Sequence, residues 1–282
     1  MPKRLNVLND FAFQKTFGEK GDEPQLLAFL NATMERTGKG NLESVEIIEA
    51  KDLPAEIAGG KSGKLDVLGK LRDGTKVNVE VQIKNNYNIE KRSLYYWSRK
   101  YTGDFKSGED YSELVPVITV NIVDYSLFSI EDYHTSYHLW EDRNKEVLLT
   151  DAFEIHFLDM VKFRKVGSHN LDEALERWLA YFDEYSPEEL VEEVVKMDGA
   201  IGLAEEKLGM ILRDPGLLRA YEEYEKAASD WTSGMNGARR EGREEGEQTK
   251  AAAVGRKLKG RGYDPDEIAD ITGLDIKTIE SL

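Results

Sequence analysis

Two acidic residues and a glutamine lie in neighbouring alternating segments of the sequence, where they could bind a metal ion. Asp66 belongs to the first segment, and Glu80 and Gln82 belong to the second, which follows a turn at residues 72–75. Apolar and polar residues alternate in both segments, and this pattern predicts a β-hairpin. Carboxylates that converge on one face of a hairpin can share a divalent cation, since such cations prefer oxygen ligands. Two acids on a solvated strand face would show the same spacing.

The hydrophobic pattern also predicts the register of this hairpin. A three-residue loop at residues 73–75 would place Arg72 opposite Lys76. One face is then apolar and belongs on the core, with the pairs Leu65–Ile83, Val67–Val81, Gly69–Val79 and Leu71–Val77. The other face carries the pairs Asp66–Gln82, Leu68–Glu80 and Lys70–Asn78. A two-residue loop would pair core residues with polar ones, so the pattern rejects it.

The residues of this hairpin resemble the catalytic core of the PD-(D/E)XK nucleases. The matching residues are Leu65-Asp66-Val67 and Val79-Glu80-Val81-Gln82, in the variant that has Gln where many members have Lys. More narrowly, the chain resembles the Rpn family of recombination-promoting nucleases, also called PD-(D/E)XK nuclease family transposases. The resemblance covers residues 9 to about 165, with further matches in the right order at Asp10-Phe11-x-Phe13, Phe17, Leu27-x-Phe29-Leu30-Asn31, Lys91-Arg92-Ser93-Leu94-Tyr95-Tyr96-Trp97, Gly108-x-x-Tyr111 and Pro116-Val117-Ile118.

The resemblance implies roles for individual residues. Asp66 and Glu80 would ligate Mg²⁺, for which Mn²⁺ can substitute, and the carbonyl of Val81 would complete the shell. Gln82 stands in place of the lysine thought to position or activate the attacking water; its amide can orient water but carries no positive charge. Asp10 matches an additional family acid, and the alternative role for it is the N-cap of the first helix.

Arginines and tyrosines recur with helical spacing in residues 90–101. Arg92, Tyr95, Tyr96 and Arg99 fall on one face of the predicted helix. Arginine contacts to phosphate and tyrosine stacking on bases or sugars suit binding to DNA. A half-buried helix whose tyrosines pack and whose arginines extend to solvent would have the same spacing.

The order of predicted elements indicates an α/β fold, a restriction-endonuclease-like mixed sheet flanked by helices and followed by an all-helical C-terminal region. Besides the hairpin, we expect strands at residues 44–50, 114–123 and 154–158 and helices at residues 9–17, 22–34, 90–101, 171–182, 187–197 and 217–231. The last of these helices is predicted to stop near Gly234.

Four regions follow from this order. The nuclease-like core spans residues 1–165, and an acidic helical support region spans residues 166–235. Residues 236–263 are rich in Arg, Glu and Gly and are predicted to be a linker, because glycine disfavours an isolated helix. Residues 264–282 are predicted to form a short helix-turn-helix-like tail with Gly273 between its helices; residues 271–274 (Ile-Thr-Gly-Leu) also resemble the C-terminal helical motif common in the family.

Composition limits the class of protein. The formal net charge is −16, yet residues 64–106 contain ten Lys or Arg against five Asp or Glu, so a local phosphate-binding face is compatible with the sequence. The chain has no cysteine, which fits a reducing compartment and excludes disulfides and cysteine nucleophiles. No apolar run approaches the length of a membrane span, and no secretory signal is visible. We therefore expect a cytoplasmic protein without a membrane partner.

Together with these observations, the resemblance implies a Mg²⁺-dependent endodeoxyribonuclease linked to recombination, mobile elements or defence. DNA is the expected substrate and partner, and a homodimer through the C-terminal helices is expected. The alternative is a catalytically weak or inactive nuclease fold, weakened by Gln82, that acts as a nucleic-acid- or protein-binding regulatory module. His134, His138 and His156 complete no zinc-binding pattern, and no metal role is expected for them.

Overall fold

The structure is a computed structural model that describes residues 4–48, 67–85 and 87–282. The chain divides into two compact units, Met1–Tyr224 and Glu225–Leu282. Among the described helices, none combines the length and the apolar character needed to cross a membrane. The predicted division into four regions stays a prediction.

The described part of the first unit contains a mixed sheet of six strands. In chain order these are β1 (Val45–Ile48), β2 (Val67–Leu71), β3 (Lys76–Gln82), β4 (Val117–Val123), β5 (His134–Tyr137) and β6 (Phe153–Asp159). The order across the sheet is β1-β2-β3-β4-β6-β5. β3 pairs in parallel with β4, and β4 pairs in parallel with β6, whereas the other three pairs are antiparallel. The predicted mixed sheet is confirmed.

The described part of the chain contains ten α-helices, some of which pack on the sheet within the first unit. They are α1 (Asp10–Phe17), α2 (Glu23–Met34), α3 (Ile89–Thr102), α4 (Met160–Phe163), α5 (Ala174–Phe182), α6 (Glu188–Met197), α7 (Gly199–Arg213), α8 (Pro215–Lys259), α9 (Pro265–Thr272) and α10 (Ile276–Ser281). Short 3-10 helices occur at Glu35–Thr37 and Tyr111–Glu113. The predicted fold class, an α/β core followed by helices, is confirmed.

The main hydrophobic core lies between one face of the sheet and the helices α1, α2, α5 and α7. Its centre is a cluster of aromatic side chains in which Phe17, Phe29 and Trp178 are fully buried. Their ring centroids are 5.8 to 6.5 Å apart with edge-on or tilted geometry, as aromatic pairs prefer. This cluster packs α1, α2 and α5 against one another.

Three parts of the chain differ from the sequence-based expectation. β5 and α7 were not predicted, although Ile201, Ala204, Leu208 and Ile211 of α7 have helical spacing and are buried. The predicted helix end near Gly234 is wrong, because α8 continues to Lys259 through most of the predicted linker. α9 and α10 lie within the predicted tail, and Gly273 ends α9 with a φ of 70°.

A chain of buried polar side chains lies at the end of the sheet where β5 pairs with β6. Nε2 of His134 is 2.9 Å from Nδ1 of His156, and Nε2 of His156 is 2.9 Å from Oε1 of Glu154. The ammonium of Lys39 donates to the other oxygen of Glu154 at 2.6 Å. A carboxylate accepts but does not donate, so the hydrogen between Glu154 and His156 must lie on Nε2 of His156.

Burial and hydrogen bonding shift two pKa values in this chain of side chains. Burial, together with the neighbouring His156, lowers the pKa of His134 from 6.5 to about 3. Burial alone would raise the pKa of Glu154, but the hydrogen bonds from His156 and Lys39 outweigh burial and lower it to about 2. Both shifts disfavour proton uptake by the folded protein.

We predict that the free energy of unfolding decreases as the pH falls below 6.5 towards 3. In this range unfolded His134 binds a proton that the folded protein does not, which costs up to about 1.4 kcal/mol per pH unit. Urea denaturation at about pH 7 and about pH 5 measures the change. His134→Gln removes the titrating group, so the slope should become shallower by about one proton; an unchanged slope would contradict the assignment.

Candidate active site

The structure confirms the hairpin of β2 and β3 but shifts its register. Val67 pairs with Val79, Leu68 with Asn78, Gly69 with Val77 and Lys70 with Lys76. The predicted partners of Val67, Leu68, Gly69 and Lys70, which were Val81, Glu80, Val79 and Asn78, are therefore wrong by two residues. The predicted pairs Asp66–Gln82 and Leu65–Ile83 include residues that lie outside the described part of the chain.

The shift arises because the loop begins one residue earlier than predicted. Leu71 and Thr75 close the turn: N of Leu71 donates to O of Thr75 at 2.8 Å, and N of Gly74 donates to O of Leu71 at 3.0 Å. Gly74 has a φ of 91°, a conformation that glycine adopts without a steric penalty. A shift of two residues preserves which residues share a face, since side chains alternate with a period of two.

β3 is buried on both faces. Val77, Val79 and Val81 lie in the main hydrophobic core, as predicted. On the other face Asn78, Glu80 and Gln82 are only 0%, 2% and 4% exposed. The interpretation of Glu80 as an acid on a solvated strand face is therefore wrong. A carboxylate at this depth needs hydrogen bonds or a cation to offset its loss of hydration.

The helix α3 packs over this polar face of β3 and β4. The hydroxyl of Ser93 donates to Oδ1 of Asn121 at 2.9 Å, and Nδ2 of Asn121 donates to the carbonyl of His156 at 3.0 Å. Asn121 is the Cα partner of Glu80, so Ser93 lies over the strand position next to Glu80. The indole of Trp97 donates to the carbonyl of Val117 at 3.0 Å, which fixes the other end of the helix.

Glu80 has a defined neighbour on its own strand. Nδ2 of Asn78 donates to Oε1 of Glu80 at 3.0 Å. The amide nitrogen must face the carboxylate, because an ionised carboxylate is an acceptor only. This hydrogen bond holds one oxygen of Glu80 in place under α3.

Charged residues gather where β3 and β4 end. The carbonyl of Gln82 accepts from N of Asp124, which follows β4. Arg164 forms ion pairs with Asp124 and, at 3.0 Å, with Asp183. In open α/β sheets ligands commonly bind beyond the carboxyl ends of the parallel strands, which is where these charged residues lie.

Asp10 lies near the same end of β3. Lys84 follows the end of β3 by two residues, and burial lowers the pKa of its ammonium. The negative charge of Asp10 is close enough to oppose that shift. The N-cap of α1 is Asn9, whose Oδ1 accepts from N of Phe11 at 3.0 Å and from N of Ala12 at 3.3 Å. The alternative role of Asp10 as the helix cap is therefore wrong.

The four residues proposed to bind nucleic acid lie on α3 but differ in exposure. Tyr95 is 57% exposed, whereas Arg92, Tyr96 and Arg99 are half-buried. The guanidinium of Arg92 lies 5.3 Å from the ring centre of Tyr96, and the ammonium of Lys100 lies 5.4 Å from the same ring. Tyr96 thus packs between two cations, while Tyr95 presents its ring to solvent.

The metal ligands proposed from the resemblance are only partly described. Glu80 and Val81 belong to β3, but Asp66 lies outside the described residues. Within residues 4–48, 67–85 and 87–282, no three His, Asp or Glu side chains are arranged to hold a metal ion. A site that includes Glu80 would therefore need a ligand from elsewhere in the chain or from substrate and water.

Comparison with known proteins identifies the family. A family model described as PD-(D/E)XK nuclease family transposase matches residues 7–238. The chain belongs to this family. The match includes the whole sheet, Asp10, Asp66, Glu80 and α3, and thus covers every proposed site residue. No curated protein and no solved structure matches the chain. Family membership supports a nuclease- or transposase-related role, and nucleases of the PD-(D/E)XK class typically use divalent metal ions.

Sequence reasoning missed several polar residues around Glu80. Asn78, Ser93, Thr119 and Asn121 are fully buried on the polar side of the sheet. Alternation in β3 had placed Asn78 on the same face as Glu80 without a role. Thr119 and Asn121 occur in a nearly continuous apolar strand, where two polar residues spaced by two are the signal that could have identified this face.

Proposed function

We propose that this protein is a metal-dependent DNA endonuclease that hydrolyses phosphodiester bonds. The observation that carries the proposal is the position of Glu80, a buried carboxylate on a central strand in a chain that belongs to a nuclease family. The family description and the proposed substrate fit a role in recombination, mobile-element movement or defence against foreign DNA. Such a substrate would place the protein in the cytoplasm.

Asp66, Glu80 and the carbonyl of Val81 are the proposed metal ligands. Asp66 directly precedes Val67, and Val67 pairs with Val79, the residue before Glu80. Asp66 and Glu80 are thus each adjacent in sequence to one member of the Val67–Val79 pair, and this supports a shared site. Their oxygen donors fit Mg²⁺, with Mn²⁺ as a substitute. A divalent ion held there supplies charge stabilisation for the phosphate and lowers the pKa of a water molecule.

Gln82 and Asp10 are proposed to act at the reacting phosphate. Gln82 follows Glu80 on the same face of β3, so its amide can orient the attacking water by hydrogen bonding. It supplies no positive charge, which separates it from the lysine found in many members of the class. Asp10, near the end of β3, is proposed to bind or orient the same water.

The helix α3 is proposed to bind the DNA backbone. Tyr95 is exposed enough to stack on a base or sugar, and Arg92, Tyr96 and Arg99 are neighbours on the same helix. Phosphate contacts of this kind position a duplex without reading its sequence.

A homodimer through the C-terminal helices is also proposed. Gly234, Ala238, Gly242, Gly246 and Ala253 lie within a sector of about 120° on α8, because a helix advances about 100° per residue. A Cβ atom at Gly234, Gly242 or Gly246 would meet nothing within 4 Å in the described part of the chain. Small residues let two helices approach closely, and a glycine-rich helix needs packing to be stable.

We predict that purified protein nicks plasmid DNA with Mg²⁺ or Mn²⁺ and that EDTA abolishes the activity. Asp66→Ala and Glu80→Gln should lower the rate by a factor of about 100 or more, because each removes part of the charge that would bind the metal. Glu46→Gln, at an exposed acid on β1, is the matched control and should keep wild-type activity. Thermal melting verifies that each variant folds.

An absence of cleavage with every divalent metal, in a protein that is folded and binds DNA regardless of chelator, would contradict the enzyme. That outcome would instead support a nucleic-acid-binding regulatory module in which Gln82 has weakened catalysis.

We predict that Tyr95→Ala combined with Arg99→Gln weakens binding to duplex DNA in fluorescence anisotropy. Loss of one phosphate contact should also reduce the salt dependence, the slope of log K against log salt, by about one unit. Lys196→Gln removes one positive charge from an exposed lysine on α6 and serves as the control. Equal affinities and slopes for both variants would exclude α3 as the binding helix.

We predict that the wild-type protein sediments as a dimer and that Gly242→Leu shifts it towards the monomer. The leucine side chain would prevent close approach of the two α8 helices, although it raises helix propensity. Arg240→Leu, on the opposite side of α8, is the matched control and should remain dimeric. Sedimentation equilibrium measures both, and a monomeric wild-type protein would rule out the dimer.

A further inference from the structure

Two buried polar atoms close to Glu80 have no hydrogen-bond partner among the described residues. They are Oδ1 of Asn78 and Oγ1 of Thr119. Both residues are 0% exposed, and they are Cα partners across the parallel pair β3 and β4. Partnered residues of a parallel pair project to the same face of a sheet, so both side chains lie on the polar face that carries Glu80.

The neighbouring groups do not satisfy these atoms. The amide nitrogen of Asn78 is committed to Glu80 at 3.0 Å, so its oxygen points away from the carboxylate. The hydroxyl of Ser93 on α3 is committed to Asn121 at 2.9 Å. A buried polar group without a partner costs about 1–3 kcal/mol, and native proteins usually fill such a place with water or a ligand.

The chemistry of these two atoms is suited to binding water. Oδ1 of Asn78 can only accept a hydrogen bond, and the hydroxyl of Thr119 can donate or accept. Water bound to a small divalent cation is a strong donor, and Mg²⁺ keeps several of its water ligands in protein sites. Glu80, hydrogen-bonded to Asn78, supplies the negative charge that such a hydrated cation needs.

We propose that Asn78 and Thr119 bind the water ligands of a hydrated divalent cation held at Glu80. This inference rests on the proposed function, because it assumes that Glu80 binds a metal. The two residues are positioning residues: they hold water and thereby the ion, and they do not touch the scissile phosphate. Hydrogen-bonding partners outside the direct ligands commonly change metal affinity by about 10–100-fold.

The experiment measures Mn²⁺ affinity of the full chain by isothermal titration calorimetry, without DNA. Thr119→Val replaces the hydroxyl with a methyl group of similar size, and we expect affinity about tenfold weaker than wild type. The matched control is Thr16→Val in α1, which also removes a buried hydroxyl that has no partner in the described part of the chain. Thr16→Val should bind Mn²⁺ like wild type.

The stability of the metal-free protein distinguishes this role from packing. In EDTA, Thr119→Val should be at least as stable as wild type, because it removes an unsatisfied buried group. Thr119→Ser keeps the hydroxyl and should retain wild-type affinity with a lower melting temperature, whereas Thr119→Ala should lose affinity as Thr119→Val does. The proposal would be overturned if Thr119→Ser, which lacks the methyl group, lost affinity while Thr119→Val, which lacks the hydroxyl, kept it.

The control at Glu80 separates this inference from the proposed function. If wild type binds Mn²⁺, Glu80→Gln does not, and Thr119→Val binds as tightly as Thr16→Val, only the role of Asn78 and Thr119 is overturned. If wild type and Glu80→Gln show the same lack of Mn²⁺ binding, the metal site itself is wrong and the inference fails with it.

Discussion

The burial of β3 on both of its faces is the constraint on which the rest of the structure depends. β3 pairs with β2 on one side and β4 on the other, so neither edge is open. Its valines enter the main core, and its alternate residues face α3. Because side chains alternate, the same strand must supply an apolar set for folding and a polar set for chemistry. The position of Glu80 is thus fixed by the packing of Val79 and Val81.

A buried carboxylate raises an energetic question that shapes the site around it. Glu80 is 2% exposed, and its hydrogen bond to Asn78 leaves the oxygen of that amide without a partner in the residues that the structure describes. A core selected for stability alone would favour apolar residues here, since polar groups gain little net energy on burial. The chain belongs to a nuclease family, and we propose that this polar row is kept because it binds a cation and its water.

Local patterns predicted most of the fold and one part of the site. The alternation of apolar and polar residues identified the hairpin and the shared face of Asn78, Glu80 and Gln82. This held although the register was wrong, because a shift of two residues leaves every side chain on the same face. The predicted register was wrong, because Leu71 and Thr75 close the turn, and the hydrophobic pattern carries no information about which residues close it. β5 was missed because His134-Thr135-Ser136-Tyr137 carries no apolar alternation, and its pairing with β6 is not visible in its own residues. Ser93 and Asn121 could not be joined from sequence, since their contact depends on how α3 crosses β4.

The central claim is that one divalent cation binds at Glu80 beneath α3. Anomalous diffraction from crystals grown with Mn²⁺ tests it most directly, because the signal locates the ion without assuming any ligand. We expect a peak about 2–2.5 Å from a carboxylate oxygen of Glu80, with Asp66 as a further ligand. A well-ordered crystal with no peak at Glu80, or with Mn²⁺ bound only at surface acids, would contradict it.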